Sequence, residues 1–204
     1  MAELRGLLVD WGGVLTTDVF ASFAAFCLAE GLPPDAVRER FRGEDPSARD
    51  LLAGLETGKL TRAQFEPAFA ALFGVAPDGL IERLFGGIGP DAAMIGAVRA
   101  ARGAGLTTGL LSYSWTVEDY DRELIDELFA TYVISGEVRL RKPDPAICAL
   151  AAERMGLAPQ AIAFVDDLPG NLKPARALGM TTIVHRGAAA TRAELEAALG
   201  VSLR

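Results

Sequence analysis

The chain has 204 residues, 50% hydrophobic and 23% charged, which excludes intrinsic disorder and supports a core without disulfides or a structural metal. With 20 Lys and Arg against 27 Asp and Glu, the net charge of -7 argues against basic-face nucleic-acid binding and against attachment to anionic lipid. The apolar runs are too short to span a membrane, and the start MAELRGLLVDWGGVL lacks the regions of a signal peptide. Cys27 and Cys148 form no CxxC and read as buried free thiols of a reducing compartment. A cytoplasmic chain of one domain with a modest insertion is the expectation.

The first predicted strand, Leu7–Val9, ends at Asp10, and Gly12 and Gly13 behind it allow a tight turn. Residues 18–88 carry no strand pattern and hold most of the 10 phenylalanines. Phe20, Phe23, Phe26 and Cys27 make one helical stripe. Phe65, Phe69, Leu72 and Phe73 make another, behind a Thr61/Gln64 capping box. This segment reads as an all-helical subdomain whose phenylalanines pack its own core rather than cage a substrate. The remaining core comprises 1–17 and 89–204. The glycines of Gly86–Pro90 follow no strand and read as linker.

Apolar runs then recur at Thr108–Leu111, Tyr132–Ile134, Ile162–Val165 and Thr181–Val184, as in a parallel sheet covered on both faces. Crossover helices are predicted near Val117–Phe129, Pro145–Arg154 and Asn171–Leu178. Asp144 caps the helix opened by Pro145, Gly179 suits a left-handed helix end, and Thr191/Glu194 is spaced as a final capping box. The fold class is α/β, a doubly wound, Rossmann-like parallel sheet with an inserted helical cap.

Several chemistries lack their residues. The chain has one histidine, His185, no GxSxG elbow and no Walker loop. What remains clusters at strand ends: Asp10, Ser112, Lys142 in RLRKPDPAI, and Asp166, Asp167 and Asn171 in FVDDLPGN. Ligands of open parallel sheets bind outside the carboxyl ends of the strands. Three carboxylates brought together there need a cation, and oxygen-only ligands favour Mg²⁺ before Ca²⁺. Singly, each residue also suits a turn or a helix cap. Lys142 resists that reading, as one of three lysines (with Lys59 and Lys173) beside a stiff Pro-Asp-Pro corner.

In order, DWGGVLT, Ser112 after GLL, KPDP and DDLPGN resemble the four motifs of the haloacid dehalogenase superfamily. FVDDLPGNLKPARALGMTTIVH is most similar to the branch containing the N-terminal phosphatase domain of soluble epoxide hydrolase. The resemblance implies a hydrolase of small phosphate monoesters in which Asp10 attacks phosphorus and becomes an aspartyl-phosphate. It implies Mg²⁺ held by Asp10, the Gly12 carbonyl and Asp167, with Asp166 as ligand or just behind. It further implies phosphoryl contacts from Ser112 and Lys142, and Asn171 orienting Asp167 or Lys142.

One departure bears on mechanism. Phosphatases of this superfamily usually carry a second Asp two residues after the nucleophile, as acid and base, where this chain has Gly12. Asp18, Glu118 or a water are the candidate replacements. Tyr113 stands where many relatives have Asn and is expected to narrow the phosphate pocket. Two other readings stay open: a phosphate-binding protein without turnover, and a metal-independent 2-haloacid dehalogenase, which the Asp166-Asp167 pair disfavours. Arg38, Arg40, Arg42, Arg49 and Arg62 of the cap are candidates for a second anionic group, or simply solvated.

Overall fold

A computed structural model describes residues 3–42, 46–113 and 120–203. The sequence makes strands where short apolar runs can be buried on both faces. These are β1 (Gly6–Val9), β2 (Thr107–Ser112), β3 (Thr131–Ile134), β4 (Ile162–Asp166) and β5 (Thr181–Val184). Among the described residues they form one parallel sheet in the order β3-β2-β1-β4-β5. The chain builds outward from β1 through β2 to β3, then crosses to the other side of β1 to lay down β4 and β5. The switch point lies between β1 and β4, where a doubly wound sheet opens a crevice.

Two apolar layers cover the sheet, sorted by side-chain parity. Leu7, Val9, Leu110, Ala163 and Val165 face α6 (Ala92–Gly103), α7 (Arg122–Leu128) and α11 (Ala188–Leu199). Leu8, Leu111 and Phe164 face α9 (Pro145–Met155) and α10 (Pro169–Ala177). α8 (Ser135–Val138) follows β3 directly. Cys148 is buried in the second layer and Cys27 in the helical cap, both as free thiols.

The cap is α1 (Val19–Ala29), α2 (Ala36–Arg42), α3 (Pro46–Glu56), α4 (Arg62–Phe73) and α5 (Leu80–Phe85). Phe23, Phe26, Phe65, Phe69 and Leu84 close its own core. Phe69 packs on Phe65 and Phe73 at ring separations of 5.1 and 4.9 Å. The Thr61/Gln64 capping box opens α4 as its spacing requires. Entry and exit are tied together: Thr17 N–H donates to Gly89 O at 2.8 Å and Asp91 N–H to Leu15 O at 2.8 Å. The glycines of Gly86–Pro90 therefore serve this return linker.

Several expectations shift. The capping box at Thr191 does not exist: α11 starts at Ala188, and Thr191 is buried with its hydroxyl 3.0 Å from His185 Nδ1. A second Ser/Thr-x-x-Glu match inside an Ala-rich stretch was the weaker start signal, because Ala extends the helix backward. α7 is capped by Asp121 and ends at Leu128, shorter than the predicted Val117–Phe129, whose first residues lie outside the described ones. α10 begins two residues early at Pro169, where proline suits the first turn. Asp144 and Gly179 behave as expected: Asp144 accepts from Ala146 N–H, and Gly179 takes φ +93°.

Candidate active site

Register explains why the site assembles. Val9 pairs with both Leu110 and Val165, so the next residues, Asp10 and Asp166, emerge side by side at the carboxyl ends of β1 and β4. Parity points both toward the layer of Leu8 and Phe164, the face on which α9 packs. Lys142 enters from the corner before α9 and is fully buried there. Its ammonium lies 2.9 Å from Asp10 Oδ2, 2.7 Å from Asp166 Oδ2 and 3.3 Å from Leu111 O. All three of its protons thus have acceptors. Burial works against the charge, but Asp10 and then Asp166 outweigh it and hold the Lys142 pKa well above that of a free lysine.

Asp166 is equally committed. Its Oδ1 accepts from Leu168 N–H at 2.8 Å and Asn171 Nδ2 at 2.9 Å, while Oδ2 accepts from Lys142 and from Asn171 Nδ2 at 3.1 Å. The expected grip of Asn171 on Asp167 or Lys142 is therefore a grip on Asp166, which in turn holds Lys142. Tyr113 lines the cavity and is also anchored within the site. Its hydroxyl shares a proton between Lys142 O at 2.9 Å and Asn171 Oδ1 at 2.8 Å, and its ring lies 4.6 Å from the Lys142 ammonium. Ser112 Oγ sits 3.0 Å from Tyr113 O and 2.8 Å from Tyr120 OH, and must turn away from them to donate to a ligand.

Oxygens of Asp10, Asp166 and Asp167 come within 4.8 Å of one another. Burial, opposed by Lys142 and reinforced by Asp166 and Asp167, raises the Asp10 pKa well above the usual carboxylate range. Burial and then Asp166 raise Asp167 to about 6. Like charges gathered out of water are stabilised by a cation, and an all-oxygen donor set suits a hard one. The backbone makes room for this: at Gly13 (φ +71°), a Cβ would lie 2.7 Å from Asp167 Oδ2. The donor set fits Mg²⁺.

Above this floor lies a cavity of about 510 Å³. Asp10, Gly12, Ser112, Tyr113 and Asp167 form its polar end; Phe20, Phe23, Phe41, Leu52, Ile81 and Phe85 of the cap form its apolar end. The reading of the phenylalanines as cap core holds for Phe26, Phe65 and Phe69, while Phe20, Phe41 and Phe85 also face the cavity. Of the candidate arginines, Arg38 and Arg42 reach it. Arg40 donates to Leu72 O at 2.8 Å, and Arg62 pairs with Glu66 at 3.1 Å and with Glu82. Asp18 is exposed and caps α1 through Phe20 N–H; Glu118 lies outside the described residues. The residues sequence reasoning missed are Glu56, Tyr120 and Arg141, which also line the cavity. No motif announced them.

A carboxylate at the first strand end, a buried lysine and an acidic pair at the fourth strand, beneath a helical cap, define a capped α/β hydrolase. A family model for haloacid dehalogenase-like hydrolases matches residues 4–179, and the chain belongs to that family. Bifunctional epoxide hydrolase 2 of Sus scrofa is 28% identical over 223 residues, covering 98% of this chain and 40% of its own. The Rattus norvegicus counterpart is 31% identical over 114 residues, covering 52% of this chain and 21% of its own. The chain thus spans less than half the length of these relatives. A glyceraldehyde 3-phosphate phosphatase of Methanopyrus kandleri is 36% identical over 84 residues, 40% of this chain and 35% of its own. Among solved structures, a family enzyme of Bacteroides thetaiotaomicron in complex with magnesium and inorganic phosphate superposes with TM-score 0.68 at 22% identity, covering 90% of this chain and 94% of its own. That likeness concerns the fold.

Proposed function

We propose that the chain is a Mg²⁺-dependent phosphatase of small organic phosphate monoesters, working through an aspartyl-phosphate on Asp10. The observation that carries this reading is the Asp10–Lys142–Asp166 chain beside Asp167 at the floor of the cavity. Asp10, the Gly12 carbonyl and Asp167 would hold the metal, with Asp166 behind them because both its oxygens already accept hydrogen bonds. Bound Mg²⁺ neutralises charge on the carboxylates and on the transferring phosphoryl group.

Lys142 favours the ionised form of Asp10 against burial and its acidic neighbours, as a bound cation would, and aims it so that a carboxylate oxygen attacks phosphorus. Ser112 turns from Tyr113 O to donate to a phosphoryl oxygen. Tyr113 and Asn171 hold Lys142 and Asp166 in register, acting on the ligand through them. The chemistry is mostly positioning and charge stabilisation. The apolar far end of the cavity favours alcohols with an apolar or aryl body over sugars.

Phosphate and halide release from a panel of phosphomonoesters and 2-haloacids, with Mg²⁺ and with EDTA, tests the reading. Mg²⁺-dependent phosphate release is expected. Halide release in EDTA means a dehalogenase, and binding without turnover means a phosphate-binding protein.

A further inference from the structure

In-line displacement at phosphorus places the leaving oxygen opposite the attacking one. Asp10 lies on the cavity floor, so the ester oxygen and its alcohol extend away from the sheet, toward the cap. The core loop offers no side-chain acid there, because the residue two after Asp10 is Gly12. The cap does. Glu56, the last residue of α3, is 4% exposed and lines the same cavity as Asp10, Gly12 and Asp167. Its Oε2 forms an ion pair with Arg141 Nε at 3.0 Å, but the two are not aligned for hydrogen bonding, and neither atom has a hydrogen-bond partner among the described residues. A buried carboxyl oxygen without a hydrogen bond is costly unless a ligand completes it.

We propose that Glu56 is the general acid and base of this site, handing a proton to the leaving oxygen and taking one from the hydrolytic water. The inference rests on the phosphatase reading above and adds the proton carrier that Gly12 lacks. In the first step, Asp10 oxygen bonds to phosphorus as the P–O ester bond breaks. The electron pair leaves with the ester oxygen, which takes the Glu56 proton and departs as alcohol. In the second, water attacks the phosphorus of the aspartyl-phosphate, its proton passes to the Glu56 carboxylate, and the P–O bond to Asp10 breaks with its pair returning to Asp10. Phosphate leaves and Glu56 is again protonated.

The surroundings suit that cycle. Burial raises the Glu56 pKa to about 7, partly opposed by Arg141 and Lys142. The Tyr113 phenol is near enough for the Glu56 charge to help raise its own pKa. A carboxylate at the last residue of a helix is further disfavoured by the helix dipole. A general acid works best with a pKa near the working pH.

The test is kcat/KM with Mg²⁺ across nitrophenyl, phenyl and hexyl phosphates, plotted against leaving-group pKa. The wild type is expected to give a shallow slope. Glu56→Gln, an isosteric change, should cost hexyl phosphate ~10²-fold or more and nitrophenyl phosphate far less, because a weakly basic leaving group needs little proton help. Arg141→Met should keep the slope shallow and move the basic limb of the pH profile upward. A steep slope in the wild type, equal losses for both ester types in Glu56→Gln, or an unmoved limb in Arg141→Met would overturn the proposal. Equal losses would leave Glu56 as a strut between cap and core, with the phosphatase reading intact. No Mg²⁺-dependent turnover of nitrophenyl phosphate by the wild type would overturn both.

Discussion

The Lys142 ammonium bridges Asp10 and Asp166, 2.9 Å from one Oδ2 and 2.7 Å from the other, with no exposure to solvent. Lys142 is not among the residues lining the cavity and sits directly beneath Asp10, which is. Lys142→Ala would leave two buried carboxylates without their counter-ion. Loss of such a preorganised charge is expected to cost ~3 kcal/mol or more in kcat/KM. Lys142→Arg should recover little, since a planar guanidinium needs room that this closed site lacks. Near-wild-type rates in Lys142→Ala would reduce KPDP to a structural corner.

Asp10→Asn keeps the shape of the nucleophile and removes its attacking oxyanion. Turnover is expected to fall to background while the fold is retained, because the amide oxygen can still accept from Lys142. No acid-stable phosphorylated enzyme should be trapped from this variant, and some should be trapped from the wild type. Activity above a few per cent in Asp10→Asn would rule out the covalent route.

Much of this site was legible in the sequence because strand ends are set by local pattern. The apolar run before Asp10 and the one before Asp166 fix where each carboxylate emerges, and their shared parity puts them on one face. Tyr113 lines the cavity as expected, but its anchoring role is not legible locally, because its hydroxyl finds Lys142 and Asn171, partners 29 and 58 residues away, which no local spacing encodes. Glu56 was invisible for a similar reason: nothing distinguishes it from a surface glutamate until α3 is laid across the core. Thr191 failed differently, by matching a capping motif inside a helix that its alanines had already begun.

Metal-free protein should show the strain of its carboxylates. The folded-state pKa of Asp167, raised to about 6, exceeds the ordinary carboxylate value, so the folded state holds its proton longer than the unfolded chain does. Asp10 is raised in the same direction. The Asp167 contribution to stability is therefore present at low pH and lost as pH rises from the ordinary carboxylate value through about 6, and that of Asp10 has the same sign. In EDTA, Tm should fall across that window. Added Mg²⁺ should raise Tm by mass action, and more so above the window, where it no longer competes with protons. A Tm indifferent to Mg²⁺ at neutral pH would count against a metal site at the three aspartates.

Gly12 offers a rescue experiment. Its φ lies outside the left-handed region, and a Cβ there would meet only Val19 Cγ2, at 3.3 Å. That neighbour is a side-chain methyl, which can yield by a few tenths of an ångström, so a larger residue is tolerated where Gly13 would allow none. Gly12→Asp would place a carboxyl on the core loop, beside the cavity and two residues from the nucleophile. In the wild type it duplicates a proton carrier, and little gain is expected. In a Glu56→Gln background it supplies the missing one, so hexyl phosphate turnover should recover ~10-fold or more of an acid-base effect typically worth 10²–10⁴, while nitrophenyl phosphate changes little. The measurement is the leaving-group slope of the double variant against Glu56→Gln alone. A slope that stays equally steep, in a double variant with unchanged Tm and Mg²⁺ response, would mean that a carboxyl two residues after Asp10 does not reach the leaving oxygen in this chain.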